Sequence, residues 1–147
     1  RTRLRRQESN RQPDRQRLPQ NDTLQIHRLS SLYGQKNLEG VPIMHFKKRI
    51  VDFGTVKKGE KREYVYEFTN RGDTDLVISI ISACDCTTTE YDTAPVKPGD
   101  SGRIKVLFDS SSKDEAEVID VDIFLENTMP ENDVPIIETL QYKFDIE

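Results

Sequence analysis

The chain has 147 residues, of which 34% are hydrophobic and 33% charged, and its formal net charge is −4. This is enough apolar material for one modest core with an appendage, and no second domain is needed to account for it. No apolar run approaches the roughly 18 residues of a membrane-spanning helix, and no basic, apolar and small-residue succession marks an intact signal peptide.

The charge is divided unevenly. Residues 1–40 hold nine basic against four acidic side chains, a net of +5, whereas residues 41–147 hold 13 against 22, a net of −9. The chain therefore reads as a basic arm (1–40) on an acidic body (41–147). From Arg1 to Gln20 only Leu4 and Leu18 are large and apolar, so this stretch cannot bury enough surface to offset its ordering entropy and is expected to be disordered alone. Its arginines, Arg3, Arg5, Arg6, Arg11, Arg15 and Arg17 among them, carry planar forks that bind carboxylates and phosphates alike. Nucleic acid is not expected as the ligand. The acidic body would repel its backbone, and the arm has no aromatic side chains on which bases could stack. A protein surface leads as the partner, and peripheral association with an anionic membrane stays open.

Residues 22–34 read differently. Asp22 or Thr23 can cap a helix, Ile26, Leu29 and Tyr33 recur at helical spacing, and Gly34 stands where a left-handed residue ends one. The spacing predicts a short helix near 22–33. At about three turns it is too short to stand alone, so it should dock on the body or on a partner.

From Ile43 onward the period falls to two. A strand with a break near Lys47–Arg49, where a sheet change or bulge fits, runs through IMHFKKRIVDFG. REYVYEFTN puts Tyr64, Tyr66 and Phe68 on one face, and DLVISIIS puts Leu76, Ile78 and Ile80 together. GRIKVLFD aligns Ile104, Val106 and Phe108, and EVIDVDIFLEN aligns Ile119, Val121, Ile123 and Leu125. The last run, TLQYKFDIE, turns Leu140, Tyr142, Phe144 and Ile146 inward. Turn chemistry separates these runs at KKGEK, NRGDTD, KPGDSG and MPENDVP. About seven short strands, each with one wet face, predict an all-β, immunoglobulin-like antiparallel sandwich, without the inter-sheet disulfide and buried tryptophan of antibody domains.

The order FGTVKKGE, FTNRGDTDLVI, CDCT, PVKPGDSGRIKV resembles the bacterial family catalogued as domain of unknown function 1573. The matching positions are Phe53, Gly54, Gly59, Glu60, Phe68, Asn70, Gly72, Leu76, Ile78, Cys84, Cys86, Thr87, Pro95, Val96, Pro98, Gly99, Gly102, Ile104 and Val106. The resemblance spans roughly residues 43–147 and implies an immunoglobulin-like sandwich of the PapD, major-sperm-protein and Hydin kind. It also implies an exported protein, of the sort found in Bacteroidota, with no established activity. Two positions depart from the pattern: Asp85 replaces the usual glycine between the cysteines, and Ala83 stands where serine is common.

Cys84 and Cys86 are the only cysteines. In an extended strand such residues lie about 6.5 Å apart, at the long end of what a disulfide spans, so bridging them requires a kink. Structural thiols, a redox pair and a metal-binding pair all stay open. A zinc set is short of ligands, since His27 and His45 are far apart and unpaired in spacing. His45 is the only histidine of the sandwich and a weak candidate for a base, Asp120 and Asp122 fall on a wet strand face, and the glycines are scattered singly rather than forming a phosphate loop. No catalytic, cofactor or metal residues are assigned. Between Asp109 and Asp133 nine carboxylates face one base, Lys113, which makes a solvated face or a docking surface for arginines.

The expected function is a non-catalytic protein-binding or accessory module of a larger bacterial envelope assembly, in the periplasm or at the outer membrane. It would act through the sandwich surface, the arginine arm and Ile26, Leu29 and Tyr33. The alternative is a thiol-redox or metal-binding role for the Cys84-Asp85-Cys86 turn.

Overall fold

Alternation of apolar and polar side chains produces strands here because each ribbon has one face that gains by leaving water and one that does not. In the computed structural model, which describes residues 26–147, eight strands follow in order. They are β1 (Met44–Phe46), β2 (Ile50–Val56), β3 (Lys61–Asn70), β4 (Ile78–Ser82), β5 (Thr87–Tyr91), β6 (Ser101–Asp109), β7 (Glu117–Thr128) and β8 (Pro135–Ile146), with a 3₁₀ turn at Ser110–Ser112. They form two four-stranded sheets, ordered β1-β3-β6-β5 and β2-β8-β7-β4. The inward rows meet in one core: Tyr66, Phe68, Ile104, Val106 and Phe108 from the first sheet, and Val121, Ile123, Leu125, Leu140, Tyr142 and Phe144 from the second.

The break at Lys47–Arg49 is a sheet change, since β1 and β2 lie in opposite sheets. The chain leaves β1 and enters β2 without reversing. Consequently β2 runs parallel to the last strand, pairing Ile50 with Gln141 and Val56 with Ile146, and the sandwich is not wholly antiparallel as expected.

Three further expectations are corrected. Ile80 is 56% exposed because the register slips between Ile78 and Ile80, so Ile78 and Ile81 are the residues that β4 buries. The strand β5, with the sequence TTTEY, has no apolar alternation and was not anticipated; it forms because Thr87–Tyr91 pairs with Phe108–Ile104 along the open edge of β6. The short helix is absent over its described part, residues 26–33, which run as successive turns with a bridge between Ser30 and Glu138. Ser31 N–H donates to Ile137 O (2.9 Å), and Thr139 N–H donates to Leu29 O (2.8 Å). An edge of β8 that would otherwise leave backbone groups unpaired outcompetes a helix of marginal length. Residues 22–25 of that expected helix, and Arg3, Arg5, Arg6, Arg11, Arg15 and Arg17, lie outside the described residues.

Downstream of this segment the chain is fastened to the 70–74 turn. Asn70, fully buried, donates through Nδ2 to Thr74 O and Val96 O (both 2.9 Å) and accepts at Oδ1 from Gly72 N–H (2.9 Å) and Ile43 N–H (3.3 Å). Gly72 is required by close approach: a Cβ there would lie 2.2 Å from Val41 O. The Asp73 carboxylate accepts from Gly40 N–H at 3.0 and 3.1 Å, which holds its pKa below the usual range.

Candidate functional site

Four residues, Ala83 to Cys86, carry the chain from β4, an edge of one sheet, to β5, an edge of the other. The crossing is tight. Thr87 N–H donates to Cys84 O (3.0 Å), closing a turn, and the bend draws the Cα atoms of Cys84 and Cys86 to 5.2 Å, where the two are joined as a disulfide. The kink that a Cys-x-Cys bridge requires is thus supplied by the sheet-to-sheet crossing, with aspartate rather than glycine at its middle. By the chain-entropy relation, closing a three-residue loop removes only about 1.6 kcal/mol of unfolded-state freedom, well below what a long-range bridge contributes.

Around this turn the core supplies hydroxyls. Tyr142, on the inward face of β8, places its OH 2.6 Å from Thr87 Oγ1 and 3.4 Å from Cys86 Sγ, and Thr87 Oγ1 lies 3.4 Å from both sulfurs. Cys86 N–H donates to Cys84 Sγ (3.2 Å). Burial pushes the Tyr142 hydroxyl up to about 12, against the opposing hydrogen bond from Thr87, so it remains a neutral hydroxyl at physiological pH. Its ring packs at a tilt against Phe53 (5.2 Å between centroids), Phe108 (5.1 Å) and Phe144 (6.2 Å), which fixes the hydroxyl in place.

The other candidates do not converge on this turn. His45 sits on β1, three strands from β5 in the same sheet, a separation of about 14 Å at the usual strand spacing. It lies on a shallow concave sheet face among side chains of both signs, including the Lys47–Glu67 ion pair (3.0 Å). Among the described residues no three of His, Cys, Asp and Glu gather into a metal-binding set. Ile26 is buried in the chain's own core, Leu29 is half-buried, and Tyr33 is 61% exposed.

Asp120, Asp122 and Glu126 of β7 fall on the outer face of the β2-β8-β7-β4 sheet. Asp120 accepts from Gln141 Nε2 and Asp122 from Thr139 Oγ1, both at 2.8 Å, while Glu126 is exposed. On the same face the registers align Ile80, Phe124 and Ile137 in one row across three strands, with Ile80 exposed and the other two half-buried. Sequence reading assigned Ile80 to the core and so missed this row.

A buried ion pair was also missed. Arg49 Nη2 donates to Glu138 Oε1 (2.7 Å) and Met44 O (3.1 Å), Ser30 Oγ donates to Glu138 Oε2 (2.8 Å), and the guanidinium stands 5.0 Å over the Phe46 ring. Burial raises the Glu138 carboxyl while Arg49 and Ser30 pull it down. The pair seals the start of β2 against β8 and the 26–34 segment, with bonds to Met44 O, Thr139 O and Ser30 Oγ, as in a structural pair.

Among the described residues, two sheets of four strands, a sheet-switching first strand and no helix layer define an immunoglobulin-like sandwich with a PapD-like fold. Residues 44–139 match the family described as "Protein of unknown function (DUF1573)", and the chain belongs to that family. No curated protein matches it in sequence. Among solved structures it is similar to a protein of unknown function from Porphyromonas gingivalis W83. The TM-score there is 0.58 with 18% identity, over 74% of this chain and 49% of that one. It is also similar to the VesB protease of Vibrio cholerae, with a TM-score of 0.56 and 12% identity over 69% of this chain and 31% of the protease. A third similarity is to the ASH/PapD-like domain 7 of human CEP192, with a TM-score of 0.52 and 12% identity over 71% and 84%. At these identities the likeness is one of fold. The matched region spans about half of the Porphyromonas protein and a third of the protease.

Proposed function

We propose that this chain is a non-catalytic protein-binding module, an accessory part of a larger assembly in the bacterial cell envelope. The observation that carries this reading is the outer face of the β2-β8-β7-β4 sheet, where Ile80, Phe124 and Ile137 form an apolar row beside Asp120, Asp122 and Glu126. An apolar centre with a charged rim on an uncovered sheet is the anatomy of a protein interface. Membership of an immunoglobulin-like family without a known activity is compatible with it. The arginines at 3, 5, 6, 11, 15 and 17 add a second contact element suited to carboxylates or anionic headgroups. A bridged cysteine pair suits the oxidising side of the inner membrane, which is where the assembly would lie.

The test is purification of the tagged full chain from its native cells, with a photo-crosslinking residue placed at Ile80 and, as a control, at Lys58. A partner crosslinked from position 80 and not from 58, fractionating with the envelope and lost on Phe124→Asp in a chain that melts as the wild type does, is the expected result. Equal labelling from both positions, or a partner retained by the Phe124→Asp chain, would overturn the assignment of this face.

A further inference from the structure

The two bridged sulfurs are unequal in access. Cys86 is 7% exposed and belongs to the core, whereas Cys84 is half-buried. They are unequally served as well. Cys86 Sγ has the hydroxyls of Thr87 and Tyr142 at 3.4 Å, and Cys84 Sγ has the Thr87 hydroxyl at 3.4 Å and the Cys86 N–H at 3.2 Å. A disulfide sulfur is a weak acceptor that needs none of these donors. A thiolate gains from the Cys86 N–H or from a hydroxyl that turns its single proton to it, and a leaving sulfur departs faster the better its thiolate is stabilised. The span of three residues, moreover, leaves the bridge with little to do as a staple.

We propose that Cys84-Asp85-Cys86 is a thiol–disulfide exchange site for a protein dithiol, with Cys84 as the sulfur attacked and Cys86 as the sulfur released. One thiolate of the partner attacks Cys84 Sγ. A bond forms between them, the Cys84–Cys86 bond breaks, and its electron pair leaves on Cys86 Sγ, which accepts from Thr87 and Tyr142. The partner's second thiolate then attacks its own sulfur in the mixed disulfide and expels Cys84 as a thiolate, held by Cys86 N–H. The partner ends oxidised to a disulfide, the pair ends reduced by two electrons, and the two protons of the partner's thiols pass to Cys84 and Cys86. Run in reverse, the bridge is restored by a partner disulfide. His45 takes no part, being three strands away.

The experiment uses the full chain and dithiothreitol as the dithiol, with alkylation and intact mass read at intervals and circular dichroism recorded alongside. The bridge is expected to open while the sandwich remains folded. Tyr142→Phe, which keeps the ring and removes the hydroxyl, should slow opening about tenfold, the factor that loss of one hydrogen bond to a charged group represents; Thr87→Val reports the same if the first variant fails to fold. With single thiols, Cys84 in the Cys86→Ser chain should alkylate at least about tenfold faster than Cys86 in the Cys84→Ser chain, following its greater access. Opening confined to the unfolded chain, a hydroxyl-free variant as fast as the wild type, or thiols that react at equal rates would each overturn the proposal. None of these outcomes bears on the Ile80 face, so the two readings fail separately.

Discussion

Arg49 and Glu138 show how much a single buried contact can carry in this sandwich. Their side chains are 6% and 1% exposed, and the guanidinium also donates from Nη1 to Thr139 O (3.1 Å), so one head group ties the start of β1, the start of β2 and residues 138–139 of β8. Replacing one member of such a pair leaves a charge without water or partner, which costs about 3–5 kcal/mol, whereas replacing both by apolar groups of similar volume can be close to neutral. Arg49→Met is therefore expected to lower stability by about 3–5 kcal/mol in urea unfolding, and Arg49→Met with Glu138→Leu to regain more than half of that. A double variant no more stable than the single one would show that Glu138 is held by Ser30 and the surrounding backbone rather than by the arginine.

At the scale of the element, the segment 26–34 acts as an edge cover. It pairs with residues 137–139 of β8, on the side that β2 occupies from Gln141 onward. Ser31 is the point at which this can be undone, because its N–H donates to Ile137 O and its Oγ accepts from Ile137 N–H, both at 2.9 Å. Proline there removes both the donor and the side-chain acceptor, so Ser31→Pro should cost about 1–3 kcal/mol and raise hydrogen exchange at Thr139 while leaving Val106 protected. Exchange unchanged at Thr139 would mean that the cover does not depend on these two bonds. The same segment marks where the sequence stops being legible. Strands β3, β6, β7 and β8 were readable because each carries its own alternation, and the inward residues Tyr66, Ile104, Val121 and Leu140 are indeed fully buried. The 26–34 turns, the β4 bulge and β5 were not readable, because their conformation is decided by a neighbouring edge rather than by their own pattern. The Cys84–Cys86 turn was legible as a place but not as a geometry: the kink comes from a crossing between sheets, and Tyr142, which faces it, lies 56 residues from Cys86. Ile80 was misassigned for the same reason, since a bulge shifts alternation by one residue and no local residue announces it.

For the molecule as a whole, the question is where the folding unit begins and ends. The family match stops at Thr139 and starts at Met44, yet the core draws on both sides of those limits. Ile26, Leu32, Val41 and Ile43 precede it, and Leu140, Tyr142 and Phe144 follow, all buried. At about 1.5–3 kcal/mol for each large apolar side chain taken from water, these seven contribute roughly 10–20 kcal/mol. That is of the same size as the roughly 5–15 kcal/mol net stability typical of a whole domain. Removing residues 140–147 also strips β2 of the parallel neighbour it pairs with from Ile50 to Val56, and removing residues 26–43 bares the upper half of β8. A chain trimmed to residues 44–139 is accordingly expected to show no cooperative unfolding transition in urea and no protected amides, while the 147-residue chain shows both. A trimmed chain that unfolds cooperatively would mean that β3, β6 and β7 hold a stable core without the terminal strands, and that the first and last segments decorate the sandwich rather than complete it.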